Sequence, residues 1–186
     1  MSAQARVPDP DLIPKVELTR MRRRYLRKVI SIESRVYPRP WSASLFLSEL
    51  TQRGTRSYLV ARHRGEVVGY AGMMFTGFEA HVTNIAVDPD WHGLKIGSRL
   101  LLNLVTEAIA RASQRISLEV RVSNGIAQSM YENFGFEVSG TRKGYYIETN
   151  EDALIMVVHD ATTTEYRLRL QRLREKLGSP KTIGER

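Results

Sequence analysis

The chain has 186 residues, which is enough for one domain with a substantial core and too few for two typical domains. It contains no cysteine, so disulfides, thiolate metal sites and a cysteine nucleophile are excluded. The net charge of +8 is concentrated in residues 1–28 and 161–186, whereas residues 29–160 are nearly neutral. The four histidines lack metal-ligand spacing, so we expect no metal site. No apolar run resembles a signal peptide or a membrane span, so we expect a cytoplasmic protein without membrane contact.

The N-terminal part of the chain predicts a flexible lead followed by two helices. Residues 1–14 contain three prolines and are expected to be flexible. Apolar residues at helical spacing predict a first helix from about Thr19, which ends at a proline-rich segment. Ser42 is a good N-cap for a second helix. Trp41 before it and Phe46 within it have the spacing of a hydrophobic staple.

The rest of the chain alternates between strand and helix patterns. Strands are predicted at 57–62, 67–75, 80–87, 116–122, 136–147 and 152–158. One amphipathic helix is predicted from Ser98 to about Ala112. Another covers 125–134, with Ser123 or Asn124 as its N-cap and Gly135 at its C′ position. Together these elements predict a mixed α/β fold with a twisted, mostly antiparallel sheet of about seven strands flanked by helices.

Residues 161–186 predict a basic extension made of an amphipathic helix and a flexible end. Thr162 and Glu165 have capping-box spacing. The helix carries one narrow apolar stripe, formed by Tyr166, Leu170, Leu173 and Leu177. The stripe either packs on the domain's own core or binds a partner such as ribosomal RNA. The basic residues at both ends fit attraction to a polyanion such as a ribosome, and they equally fit solubility.

The segment 84–101 joins an apolar strand to an amphipathic helix through a short loop that contains glycine. Such a loop directs unpaired backbone N–H groups, and the positive end of the helix dipole, at one point. That arrangement suits a phosphate group. By itself, the same pattern is also that of an ordinary strand–helix turn.

Several motifs then follow one another in a fixed order. They read NIAVDPDWHGLKIGSRLL at 84–101, LEVRVSN at 118–124, YENFGF at 131–136, GYY at 144–146 and EDALIM at 151–156. In order and spacing, the chain resembles the GCN5-related N-acetyltransferase (GNAT) superfamily over roughly residues 16–158. Within that superfamily it is similar to the bacterial ribosomal-protein-alanine N-acetyltransferases. The resemblance implies a GNAT domain over 15–160, acetyl-CoA as cosubstrate, and transfer of acetyl to the N-terminal alanine of a small-subunit ribosomal protein.

The same resemblance implies a coenzyme A site at the strand end, in the loop and at one later position. Its residues are Ile85, Ala86, Val87, His92, Gly93, Leu94, Lys95, Ile96, Gly97, Ser98 and Asn124. The backbone N–H of Val87 is the expected oxyanion donor, with Ile85 and Ala86 pairing with the pantetheine arm and Asn124 bonding its amides. The family loop reads Gln/Arg-x-x-Gly-x-Gly/Ala, from which His92 and Lys95 depart. His92 can still point a ring N–H at phosphate, and Lys95 adds a positive charge.

The resemblance also assigns the chemistry. Glu119 is the expected base for the acceptor ammonium, and Tyr131 the expected acid for the departing thiolate. From the residues alone, Glu119 is equally a solvent-facing strand residue and Tyr131 a half-buried helix aromatic. The acceptor peptide is expected between two segments that carry Tyr37, Pro40, Trp41, Arg142, Tyr145 and Tyr146, all of which are equally suited to packing.

The pKa values of the possible acceptor amines can be compared. An α-amino group has a pKa of about 7.7–8.0 and a lysine about 10.4, so one carboxylate deprotonates an N-terminus at lower cost. Acetylation of a lysine, a polyamine or another small amine is the alternative. A non-catalytic, ribosome-binding module is the second alternative, because the loop departs from the family pattern.

Overall fold

The computed structural model describes residues 15–178, and the predictions for residues 1–14 and 179–186 lie outside that range. The strands are β1 (Glu17–Arg20), β2 (Arg56–His63), β3 (Glu66–Thr76), β4 (Glu79–Val87), β5 (Arg115–Arg121), β6 (Glu137–Tyr146) and β7 (Glu151–Val158). The α-helices are α1 (Leu26–Val36), α2 (Ala43–Thr51), α3 (Ile96–Ala110), α4 (Gly125–Asn133) and α5 (Thr164–Leu177). No helix within 15–178 has the length and apolar character needed to cross a membrane.

The strands form one seven-stranded sheet in the order β1-β2-β3-β4-β5-β7-β6. Every neighbouring pair is antiparallel except β4 and β5, which confirms the predicted mostly antiparallel mixed sheet. The parallel pairing covers only Glu79–His81 against Arg115–Ser117. Beyond it, β4 stays paired with β3 as far as Val87. A gap therefore opens between β4 and β5.

The first element differs from the prediction. Thr19 lies in β1, which pairs with β2, and α1 begins only at Leu26 after a short 3-10 turn. Val16 and Leu18 are buried, with exposed Glu17 between them. This two-residue period is typical of a strand, and the helical pattern that begins farther along the chain obscured it.

The helix ends follow local capping chemistry. The Ser42 side chain accepts a hydrogen bond from the Leu45 N–H, and the rings of Trp41 and Phe46 lie 5.3 Å apart, which confirms the predicted start of α2. Asn124, rather than Ser123, is the N-cap of α4. Gly135 follows α4 at φ +83°, in the left-handed region where glycine costs least.

Helices cover both faces of the sheet. Buried residues of α3 and α5 belong to the larger apolar cluster, whereas those of α1 and α2 form the second cluster with residues of β2 and β3. The α5 stripe packs on the domain's own core, since Tyr166, Leu170 and Leu177 are buried in the larger cluster. Arg99 of α3 donates to the Leu177 carbonyl at 2.8 Å. The cap of α5 is Thr163 rather than a residue at the predicted capping-box position.

Candidate active site

The gap between β4 and β5 opens into a cavity of about 960 Å³. Its walls come from the end of β4, the loop before α3, the start of α4, the segment between α1 and α2, and the loop between β6 and β7. Concave sites of this size at a break in an α/β sheet are typical places for a small-molecule ligand.

The end of β4 presents to this cavity backbone groups that are not paired with another strand. The N–H of Asp88 donates to the carbonyl of Val68 on β3 at 2.9 Å. Because backbone groups alternate in direction along a strand, the N–H of Val87 faces the gap instead. Ile85 faces the same way, and its carbonyl accepts from the Tyr37 hydroxyl at 2.8 Å. Ala86 pairs with Tyr70 of β3, so its backbone N–H and carbonyl point to that strand rather than to the gap.

The loop before α3 fits an anionic group. Helix α3 begins at Ile96, two residues earlier than predicted, and no side chain caps it. The first-turn N–H groups of Ile96, Gly97 and Ser98 therefore lack an intrahelical acceptor, and all three residues line the cavity. The N-cap position is held by Lys95 at φ +58°, a left-handed conformation that glycine adopts more easily. Its side chain is exposed.

Two other loop residues make contacts that the sequence did not predict. The His92 Nε2 atom lies 3.0 Å from the carbonyl of Val87, so this ring nitrogen contacts the strand end, while the residue still lines the cavity. Leu94 does not line the cavity and packs against the larger apolar cluster. Gly93 lines the cavity at φ +80°, and Asn124 lines it while its side-chain oxygen caps α4.

The two residues expected to carry acid–base chemistry both line the cavity. Glu119 is not solvent-facing, because its side chain is 10% exposed. Its Oε2 lies 2.9 Å from His81, and its Oε1 lies 3.5 Å from Arg142. The hydrogen bond with His81 is the largest of the influences that lower the Glu119 pKa. Burial raises the pKa of Tyr131, so the phenol stays protonated at neutral pH.

The residues predicted to hold an acceptor divide into two groups. Four of them line the cavity and are aromatic: Tyr37, Trp41, Tyr145 and Tyr146. Pro40 is exposed and does not line it, and Arg142 borders a second cavity of about 450 Å³ instead. Within the described residues, no three His, Asp or Glu side chains gather as metal ligands.

Sequence reasoning missed two buried polar side chains in the cavity wall. Glu33 on α1 is 1% exposed, its Oε1 accepts from the Trp41 N–H at 2.9 Å, and burial raises its pKa to about 7. Its Oε2 and the side-chain nitrogen of Asn84 are buried without a hydrogen-bond partner among residues 15–178. A signal existed for Glu33, because it stands in the apolar stripe of α1, where a charged residue is unusual.

The geometry suits transfer of an acyl group from a thioester. An uncapped helix start fits phosphate, a free strand N–H fits a developing oxyanion, and a carboxylate and a phenol border the space between them. This combination defines a coenzyme A-dependent acyltransferase. A profile of the Acetyltransferase (GNAT) family matches residues 26–136, and the chain belongs to that family. It is an acetyl-CoA-dependent N-acetyltransferase.

Named relatives agree with this assignment. A provisionally named [ribosomal protein bS18]-alanine N-acetyltransferase of Bacillus subtilis (strain 168) is 38% identical over 144 residues, covering 77% of this chain and 95% of that protein. The [ribosomal protein bS18]-alanine N-acetyltransferase of Escherichia coli (strain K12) is 36% identical over 129 residues, covering 68% and 86%. The crystal structure of the ribosomal-protein-S18-alanine N-acetyltransferase from Escherichia coli superposes with a TM-score of 0.73 at 31% identity, covering 81% and 97%.

Proposed function

We propose that this chain transfers acetyl from acetyl-CoA to the α-amine of a protein N-terminus, and that the acceptor begins with alanine and belongs to the small ribosomal subunit. The observation that supports this most is that Glu119 and Tyr131 border one cavity beside the Val87 N–H. The names of the Escherichia coli and Bacillus subtilis relatives, at 36% and 38% identity, support the acceptor class.

The transfer is direct, because the chain has no cysteine to form an acetyl thioester of its own. Acetyl-CoA supplies the thioester. Glu119 takes a proton from the acceptor ammonium, and the neutral amine then attacks the thioester carbonyl carbon. The carbonyl oxygen becomes negative and is stabilised by the Val87 N–H; a donor of this kind is typically worth about 3 kcal/mol of barrier. The carbon–sulfur bond then breaks, the nitrogen gives up its second proton to solvent, and coenzyme A leaves as a thiolate.

Tyr131 assists the departure of the sulfur. A thiol has a pKa of about 8.5, and burial raises the Tyr131 pKa above the usual phenol value. Complete proton transfer to the sulfur is therefore less favourable than it would be from an exposed tyrosine. The hydroxyl acts chiefly as a hydrogen-bond donor that stabilises the thiolate as it forms, and solvent supplies the final proton.

The cavity walls favour a peptide over a small free amine. The aromatic side chains of Tyr37, Trp41, Tyr145 and Tyr146 line the same cavity as the uncapped helix start. Rings of this kind offer flat apolar surface with polar edges, which suits an extended backbone. The lower pKa of an α-amine also suits a single carboxylate base better than a lysine does.

Turnover on an acceptor panel tests this function. The panel contains a peptide with the N-terminal sequence of bS18 from the same organism, the same peptide with a blocked N-terminus and an internal lysine, and spermidine. We expect acetylation of the free N-terminus alone, and a loss of about 10²-fold or more in the Glu119→Gln variant while acetyl-CoA still binds. Preference for lysine or spermidine would contradict the acceptor assignment, and absence of turnover on all three would favour a non-catalytic module.

We also propose that the basic N-terminal segment contacts ribosomal RNA. Arg22, Arg23, Arg24 and Arg27 are exposed in a stretch that contains no acidic residue. Replacing all four with Gln should weaken cosedimentation with small ribosomal subunits and flatten its salt dependence, while acetylation of the free peptide is unchanged. Unchanged cosedimentation would favour the interpretation that these charges serve solubility.

A further inference from the structure

His81 occupies a distinctive place on the sheet. It lies on β4 opposite Ser117 of β5, in the last residue pair before the two strands separate. Side chains alternate between the two faces of a strand, so Ser117 and Glu119 point to the same face. The imidazole reaches both of them. Its Nδ1 is 2.9 Å from Ser117 Oγ, and its Nε2 is 2.9 Å from Glu119 Oε2.

These distances fix the direction of one hydrogen bond. A carboxylate oxygen can only accept, so a contact of 2.9 Å with Nε2 requires a hydrogen on that nitrogen. With a neutral ring, the Ser117 hydroxyl donates to Nδ1. With a protonated ring, Nδ1 donates to the hydroxyl instead. In both states His81 donates to Glu119, and Ser117 holds the imidazole in place.

The two oxygens of Glu119 therefore have different surroundings. Oε2 is held at hydrogen-bond distance by His81, whose side chain is 28% exposed. Oε1 faces Arg142 at 3.5 Å, and that guanidinium is 55% exposed. Glu119 lines both cavities, whereas His81 and Arg142 line only the second. The other charged or titratable groups around the second cavity are Glu79, Arg115 and Tyr145.

We propose that His81 is a positioning residue for Glu119: its Nε2–H fixes Oε2, and with it the orientation of the carboxylate that takes the proton of the acceptor ammonium. This inference rests on the proposed role of Glu119 as the base. Without His81 the carboxylate would keep only the longer contact with the exposed Arg142, at 3.5 Å, and a misplaced base loses rate even when it is present. The hydrogen bond also favours the ionised form that a base needs.

Kinetics of His81→Leu and His81→Gln test the proposal. His81→Leu removes the donor, and we expect kcat/KM for the acceptor peptide to fall at least tenfold, with the acetyl-CoA dissociation constant unchanged. Since the His81 bond lowers the Glu119 pKa, the acid limb of the pH profile should move to higher pH. The amide N–H of His81→Gln reaches a similar position, so it should retain activity within about threefold. His159→Leu, at an exposed histidine, is the matched control.

The double variant His81→Leu, Glu119→Gln separates this inference from the proposed function. If His81 acts through Glu119, the double variant is no slower than Glu119→Gln alone. A further loss in the double variant, or a His81→Leu variant with wild-type rate and pH profile, would overturn the positioning role. A fully active Glu119→Gln would instead overturn the base assignment. Ser117→Ala gives a second measurement if His81→Leu folds poorly, with a smaller shift of the acid limb in the same direction.

Discussion

The guanidinium of Arg121 lies over the ring of Tyr146, with its central carbon 3.8 Å from the ring centroid. The same side chain forms ion pairs with Glu148 and Glu151. One residue of β5 thus holds both ends of the loop between β6 and β7, and that loop forms one wall of the cavity. A cation over an aromatic face and two carboxylates are stronger restraints together than any surface ion pair alone.

We therefore expect Arg121→Ala to loosen the acceptor side of the cavity. The KM for the acceptor peptide should rise about fivefold or more, while binding of acetyl-CoA stays the same, because the helix start at α3 is untouched. Arg111→Ala is the matched control. Arg111 makes similar contacts with Phe75 and Glu107, away from the cavity. Steady-state kinetics with each substrate varied in turn would check this. Equal effects of the two variants would contradict a specific role for Arg121.

Lys95 replaces a glycine of the family pattern and carries the strained backbone that this position requires. Lys95→Glu should weaken acetyl-CoA binding more than tenfold, which corresponds to about 1.4 kcal/mol, through repulsion of the phosphates. The loss should shrink as salt is raised. Lys95→Gly should bind about as well as the wild type and melt no earlier, because glycine adopts φ +58° without a Cβ clash. Calorimetry at two salt concentrations checks both variants. Unchanged affinity in Lys95→Glu would show that the side chain points away from the phosphates.

Removing the hydroxyl of Tyr131, and separately that of Tyr166, distinguishes a catalytic role from a packing role. Tyr131→Phe should slow the chemical step by about tenfold or more, with cofactor affinity and thermal stability nearly intact. The Tyr166 hydroxyl donates to the Phe134 carbonyl at 2.8 Å, so Tyr166→Phe should lower stability by about 1 kcal/mol and leave turnover unchanged. Single-turnover kinetics and thermal melting would be measured on both. Loss of stability and activity in parallel for Tyr131→Phe would support a packing role.

Glu33 should make stability depend on pH. Its pKa is about 7 in the folded protein, above the usual value, so the folded state binds the proton more tightly than the unfolded state. The contribution of Glu33 to the free energy of unfolding is complete below its pKa in the unfolded chain, near 4.5. It is lost as pH rises towards and through 7. The difference between the two pKa values corresponds to about 3 kcal/mol of the free energy of unfolding at most. Glu33→Gln should remove this dependence. Denaturation midpoints from pH 4.5 to 8 check it, with Glu137→Gln, at an exposed position, as the control.

Much of the fold followed from periodicity and capping residues. Ser42, Asn124 and Gly135 mark helix ends through local hydrogen bonds and backbone conformation, and such signals are complete within a few residues of sequence. β1 was missed because an edge strand of four residues leaves little periodic signal beside a longer helical pattern. The early start of α3 was missed because nothing in the side chain of Lys95 predicts a left-handed N-cap.

The site was harder to predict than the fold. The site residues predicted from the sequence line one cavity, except Leu94, Pro40 and Arg142. The contacts around Glu119 depend on which residue of β4 lies opposite which residue of β5, and His81 and Ser117 are 36 positions apart in the chain. No pattern of neighbouring residues in the sequence predicts that register. Burial of Glu33 likewise depends on how α1 lies against the sheet.

Because the parallel pairing of β4 with β5 is short, the geometry of the active site depends on the angle between these two strands. Three residue pairs join the strands, and the Val87 N–H lies six residues beyond the last of them. At about 3.3 Å per residue, that is a lever of about 20 Å. Because β3 holds β4 as far as Val87, a rotation of about 5° between the two halves of the sheet at this pairing would move the proposed oxyanion donor by nearly 2 Å relative to β5. Catalytic groups work only when held within about 0.5 Å, so the proposed chemistry requires a stiff pairing. His81 and Ser117 stand at this pivot, in hydrogen-bond contact with each other, and His81 also contacts Glu119, so the contacts around the carboxylate lie at the point where the two strands begin to separate.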